Sequence, residues 1–114
     1  MKITRSDAYQ FTYTLADGPF VMSGGKVAST QDSTLVRIST HEGIVGWGET
    51  CGFSPNYIAA HGPGARAALR ELAPALLGLD PRQTEMVFAK MNGALMGHYY
   101  AKSAADIACW DILG

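Results

Sequence analysis

The 114-residue chain carries 9 Lys+Arg against 10 Asp+Glu, a net charge of −1. That balance excludes a broad electrostatic footprint for nucleic acid, and no Lys/Arg run supplies a local one. No apolar stretch approaches the roughly 18–20 residues of a membrane span, and Met1-Lys2-Ile3-Thr4-Arg5 lacks the apolar core of a signal peptide. With 47% hydrophobic and 17% charged residues, the composition is that of one globular domain with a modest core, expected in the cytoplasm. Cys51 and Cys109 stand far apart in apolar settings and read as reduced, structural cysteines.

Strands come first. Ile3 to Leu15 reads as a long strand, with Tyr9, Phe11 and Tyr13 alternating onto one face. Asp17-Gly18-Pro19 breaks it. Phe20 to Gln31 holds Gly24-Gly25 among small and polar residues and reads as a mobile loop. Thr34 to Thr40 forms a second strand, His41-Glu42-Gly43 a tight turn, and Ile44 to Thr50 a third strand. Strands joined in this way make an antiparallel meander with one packed face.

The period then becomes helical. Ala65, Ala68, Leu69, Leu72, Ala73, Leu76 and Leu77 form one stripe stopped by Gly78, with a kink or break expected at Pro74. Asp80-Pro81-Arg82-Gln83 predicts a helix start, Asp80 as cap and Pro81 in the first turn. Val87, Phe88, Met91 and Leu95 are that helix's expected buried side. Gly97-His98 interrupts before a terminal helix. Together these elements predict an α+β domain: a three-stranded antiparallel meander followed by a three-helix bundle.

In the terminal helix Ala101, Ala104, Ala105, Ala108 and Ile112 make one stripe, and Ile107, Trp110 and Leu113 a second apolar flank. Two readings stay open: a core helix closing a small domain, or a helix leading into a second domain absent from this chain.

Catalytic groupings are not visible. His41, His61 and His98 have no ligand spacing, so no metal site is expected here. Gly43, Gly46 and Gly48 read as turn and close-packing glycines, because no Lys-Ser/Thr step or helix follows them. Asp106 and Asp111 are five apart and point to different sides of a helix. Two segments do carry apolar bulk on loops: Phe20-Val21-Met22-Ser23-Gly24-Gly25-Lys26 and Cys51-Gly52-Phe53-Ser54-Pro55-Asn56-Tyr57. Such loops suit binding lids, or else small satellite cores beneath the turns.

The order of strand, Gly-rich loop, hairpin ending in Gly46-Trp47-Gly48-Glu49-Thr50, helices, and then Ala101 to Gly114 resembles the N-terminal capping domain of the mandelate racemase and muconate lactonizing enzyme family, within the enolase superfamily. The family signature is matched at Ala101, Ser103, Ala104, Asp106, Ala108, Asp111 and Gly114. Ala105 departs from the usual larger aliphatic, and Cys109 from the usual Ala or Leu. The resemblance covers essentially the whole chain.

What the resemblance implies is an enolase N-terminal-like fold over residues 1–114 and a C-terminal TIM-barrel catalytic domain, of roughly 200–250 residues, absent from this chain. In such enzymes Mg²⁺ on barrel carboxylates and a Lys or His base remove a proton next to a carboxylate. No catalytic or metal-binding residue carries over to this chain. The capping loops, 19–28 and 52–61 by position, close over the barrel mouth. Phe20, Met22, Phe53 and Tyr57 are the residues expected to face a small carboxylate substrate.

Glu49-Thr50-Cys51, the spacing from Pro55 through Tyr57 to His61, and Gly97-His98-x-Tyr100-Ala101-Lys102 resemble the branch acting on proline derivatives. Hydroxyproline dehydratases and proline-betaine epimerases belong to that branch. An aromatic lid suits a cyclic ammonium substrate, because ring faces attract cations. The partners implied are the barrel of the same polypeptide and further copies in a homo-oligomer, with no nucleic acid or membrane. The alternative is a stand-alone binding or oligomerisation domain that has lost its barrel.

Overall fold

The computed structural model describes residues 1–21, 23–52, 56 and 58–114, leaving aside the side chains of Phe20 and Ala28. Strand β1 (Ile3–Thr14) is followed by a short hairpin of β2 (Phe20–Val21) and β3 (Val27–Ala28), then by β4 (Thr30–Thr40) and β5 (Val45–Cys51). Helices α1 (Gly62–Leu76), α2 (Thr84–Ala94) and α3 (Tyr99–Leu113) follow. β1, β4 and β5 form an antiparallel sheet with β4 in the middle; α1 and α3 pack on it, and α2 packs on those two helices. The predicted meander followed by three helices is therefore the observed fold.

β4 begins at Thr30, four residues before the expected start. Its early half carries Gln31 and Ser33, whose polarity hides a strand that is nevertheless buried at both positions. The segment between β1 and β4 is likewise more ordered in design than a plain loop. It holds the β2–β3 hairpin around a turn in which Gly24 and Gly25 both have positive φ.

The core is one cluster. Val36 and Ile38 of β4 meet Leu69, Leu72 and Leu76 of α1, Val87 and Met91 of α2, and the alanine stripe of α3. Burial of each large aliphatic contributes about 1.5–3 kcal/mol. Ile3 closes the cluster, held from outside by a bond from its N–H to the Leu79 carbonyl and one from Gly78 N–H to its own carbonyl, both 2.8 Å. Gly78 ends the α1 region as expected, with φ +83°.

Three local expectations give way to packing. α1 runs through Pro74 without a break and ends two residues later: the proline forgoes its own bond to the Arg70 carbonyl, and the helix stops soon after it. Leu77, expected on the buried stripe, is 52% exposed beyond the helix end. The turn Asp80 to Gln83 precedes α2 instead of starting it. Asp80 Oδ1 accepts from the Arg82 N–H at 3.0 Å, Gln83 N–H returns to the Asp80 carbonyl, and helix begins at Thr84. Phe88 stands half out of the core, its ring stacked on Tyr99 at 6.4 Å.

α3 approaches the sheet unusually closely, and the sequence shows why. Its inward residues Ala101, Ala104, Ala105 and Ala108 are fully buried, and they meet Gly46 and Gly48 of β5. A Cβ on Gly48 would overlap the Ala104 carbonyl oxygen, and one on Gly46 the Ala108 carbonyl oxygen. These glycines are close-packing residues, as their context suggested, and backbone meets backbone across the interface. The second flank, Ile107, Trp110 and Leu113, is 45–53% exposed.

Candidate functional site

Both candidate loops leave the same end of the sheet. The first departs from β1 after Thr14 and returns into β4, and the second departs from β5 after Cys51. They are tied together by Lys26, whose ammonium donates to the Asn56 carbonyl. Within the second loop, Gly52 lies against Ala60, close enough that a Cβ would stand 2.6 Å from the Ala60 carbonyl oxygen. Its far end is anchored at α1, where His61 Nδ1 accepts the Gly64 N–H at 3.2 Å and caps the helix.

Of the four expected substrate-facing residues, Phe20 sits on β2 with its backbone paired to Ala28. Met22, Phe53 and Tyr57 lie outside the described residues. So do Ser54 and Pro55.

Beneath the loops, the strand ends bring together a polar cluster that sequence reasoning missed. Tyr13 of β1 donates its hydroxyl to Cys51 Sγ at 3.4 Å, and the Cys51 thiol donates to Gln31 Oε1 at 3.6 Å. Ser33 donates to Glu49. The register explains the grouping: Tyr13 pairs with Gln31, and Ser33 with Cys51, so all their side chains share the sheet face away from the helices. The bond to Cys51, aided by burial, pushes the Tyr13 hydroxyl up to about 12. Gln31 is 96% buried by its 4% exposure, and its Nε2 has no hydrogen-bond partner among the described residues. The available signal was the alternation Gln31, Ser33, Leu35, which continues the strand period through polar residues.

The motif residues of the terminal segment stand at this same end of the sheet, on its helix side, beside the start of α1. Gly97 and His98 both adopt positive φ (69° and 55°), making the tight entry to α3. The Tyr100 hydroxyl approaches Gly64 at the start of α1. Lys102 is 1% exposed, bonded to Asn92 Oδ1 at 2.7 Å and set over the Tyr99 ring at 4.9 Å. Cys51 and Cys109 are free thiols, and burial pushes Cys109 up to about 12.

Mg²⁺ requires near-octahedral oxygen ligands, at least one or two of them carboxylates. Among the described residues no three of His, Cys, Asp and Glu converge. These residues do not fit such an ion, and no metal chemistry is assigned to them. Among the described residues, no helix is long and apolar enough to cross a membrane.

This fold, with its two loops at one sheet end and its alanine-on-glycine helix packing, matches a known class. Residues 6–114 match the mandelate racemase / muconate lactonizing enzyme N-terminal domain. The chain belongs to that family, within the enolase superfamily. It is 42% identical over 114 residues to a cis-3-hydroxy-L-proline dehydratase of Roseibium aggregatum, covering 100% of this chain and 31% of that protein. A member of the enolase superfamily from Roseovarius nubinhibens, solved in complex with magnesium, superposes with a TM-score of 0.89 at 47% identity, over 98% of this chain and 30% of its own. The N-succinyl Arg/Lys racemase of Bacillus cereus superposes with a TM-score of 0.91 at 35% identity, over 100% of this chain and 30% of its own. The chain thus spans about 30% of the length of these relatives.

Proposed function

We propose that this chain is the capping and substrate-specificity domain of a Mg²⁺-dependent racemase, epimerase or dehydratase, and that it is not catalytic by itself. The catalytic groups and the metal are supplied by a C-terminal barrel of the same polypeptide. The observation that carries this reading is that a family N-terminal domain accounts for residues 6–114 while the chain's relatives are about three times longer. The exposed apolar flank of Ile107, Trp110 and Leu113, on the last helix, suits a surface packed against that barrel.

In this reading the loops 19–28 and 52–61 form the lid, with Phe20, Met22, Phe53 and Tyr57 facing the substrate. The Lys26–Asn56 bond ties the two loops to each other. Closure excludes water and touches the part of the substrate distal to the reacting carbon. The substrate is a small carboxylate, with proton abstraction next to the carboxylate. A proline derivative is favoured by identity to the hydroxyproline dehydratase and by an aromatic lid suited to a ring ammonium. In this reading the protein works in the cytoplasm as a homo-oligomer.

Reading the coding DNA downstream of the Gly114 codon, then assaying the encoded enzyme with Mg²⁺ on hydroxyprolines, proline betaine, N-succinyl amino acids and acid sugars, tests this. A continuing barrel frame and turnover of a proline derivative are expected. A stop codon would remove the barrel, and preference for acid sugars would remove the substrate class.

A further inference from the structure

At the end of β1 away from the loops, a groove of about 540 Å³ runs between residues 4–8 of β1 and the outer flank of α1. Its floor is a free sheet edge. Thr40 N–H crosses to Ile44 on the β5 side, and Leu15 N–H crosses to Ser29 on the β4 side. Alternation along the paired strands therefore turns the backbone of Asp7 and Tyr9 toward β4, and that of Ser6 and Ala8 outward. Among the described residues nothing takes the Ser6 or Ala8 N–H.

The walls add charge and apolar surface. Leu69 and Ala73 line the α1 side, with Arg66 and Arg70 four residues apart above them. Arg66 is committed to Asp32, with N–O distances of 2.9 and 3.0 Å, and Arg5 to Asp7 at 2.9 Å. Arg70 has no ion-pair or hydrogen-bond partner among the described residues. The two pairs neutralise themselves, so the groove keeps one uncompensated positive charge.

We infer that this groove binds an extended acidic peptide segment, which adds a strand to the free edge of β1 and places a carboxylate on Arg70. Edge hydrogen bonds at Ser6 and Ala8 supply affinity independent of sequence, and the helix wall reads alternate side chains. A strand lying along residues 4–8 covers about 17 Å, which fits five or six residues. A second copy of the chain is disfavoured as occupant, because antiparallel pairing of two β1 edges would bring two Arg70-bearing walls to the same seam.

The test uses the chain itself with a fluorescein-labelled peptide of alternating Glu and Val, and a control with Lys in place of Glu. Anisotropy should show binding of the acidic peptide alone, weakening as salt rises. Hydrogen exchange at the Ser6 and Ala8 amides should slow on addition of that peptide. Arg70→Glu should weaken binding by about tenfold or more, the loss expected for one charge-assisted bond. Ala8→Pro removes only an outward donor, which an edge strand tolerates, and should abolish binding. If that variant does not fold, Arg70→Glu and the exchange data decide. Equal binding of both peptides, no binding of either, or unchanged exchange at Ser6 and Ala8 would overturn the inference. So would concentration-dependent protection of those amides without peptide, which would show two copies pairing there.

Discussion

The carboxylate of Asp111 accepts the backbone N–H of Trp47 at 2.9 Å, joining the last turn of α3 to the outer edge of β5 across 64 residues of sequence. β5 is an edge strand, so this N–H has no neighbouring strand to bond, and the helix supplies the acceptor. Asp111→Ala should lower stability by about 1–2 kcal/mol, and Asp111→Asn, which keeps an acceptor, should recover part of it. Urea unfolding monitored by tryptophan fluorescence measures both. Equal losses for the two variants would mean that charge, not acceptance of this bond, matters.

The glycines beneath α3 give a steeper test. Gly48→Ala forces a methyl group into the Ala104 carbonyl, which only displacement of the helix can relieve. Overpacking of a rigid backbone contact costs about 3 kcal/mol or more. Gly43→Ala meets nothing within 4 Å but sits at φ +80°, so its cost is conformational and about 1 kcal/mol. The order of thermal midpoints should be wild type, Gly43→Ala, then Gly48→Ala far below. A reversal would contradict the close approach.

Lys102 is buried with an amide and a ring for company and no acid partner among the described residues. Replacing such a charge with an apolar side chain of similar length is often neutral or stabilising by about 1 kcal/mol. Lys102→Met should therefore leave the unfolding midpoint unchanged or raised, while Lys102→Glu should lower it severely. A large loss in the methionine variant would show that the Asn92 bond outweighs burial of the charge.

Acid should act on two carboxylates in opposite directions. The Arg66 guanidinium holds Asp32 below its ordinary range, so its contribution is present above the unfolded value near 3.9 and is lost as pH falls through the lower folded value. Asp32 is 41% exposed, and solvent screening keeps that contribution small. Burial raises Asp106, the Trp110 bond opposing it, so ionised Asp106 costs stability that is relieved on acidification. Urea midpoints from about pH 7 to about pH 3 should show a flatter acid decline for Arg66→Met. Asp106→Asn should be the more stable protein at about pH 7, with its advantage vanishing below about pH 4. An advantage that persists in acid would assign it to the amide's own bonds.

Much of this was legible in the sequence, because apolar periodicity maps directly onto burial. The alanine stripe of α3, the Gly46 and Gly48 contacts and the turn at Gly43 are local patterns with one packing solution. Polar strands are not legible in this way: Gln31 and Ser33 are buried only because β1 and β5 flank them, which no local window reports. Asp80 carried the signs of a helix cap, yet its side chain serves the turn and Arg82. Phe88 had helical spacing for the core, but α3 places Tyr99 where it can stack instead. The free edge of β1 likewise follows from strand order and not from the residues of β1.

The central claim is that the two loops set specificity while the metal is held elsewhere. It is tested most directly in the full-length polypeptide by measuring kcat/KM on the proline derivatives proposed as substrates beside Mg²⁺ affinity, for wild type, Phe53→Ala and Tyr57→Ala. The account predicts that each variant loses about tenfold or more in kcat/KM, with Mg²⁺ affinity and thermal midpoint unchanged. Parallel loss of turnover, metal binding and stability would make these residues structural and contradict the lid.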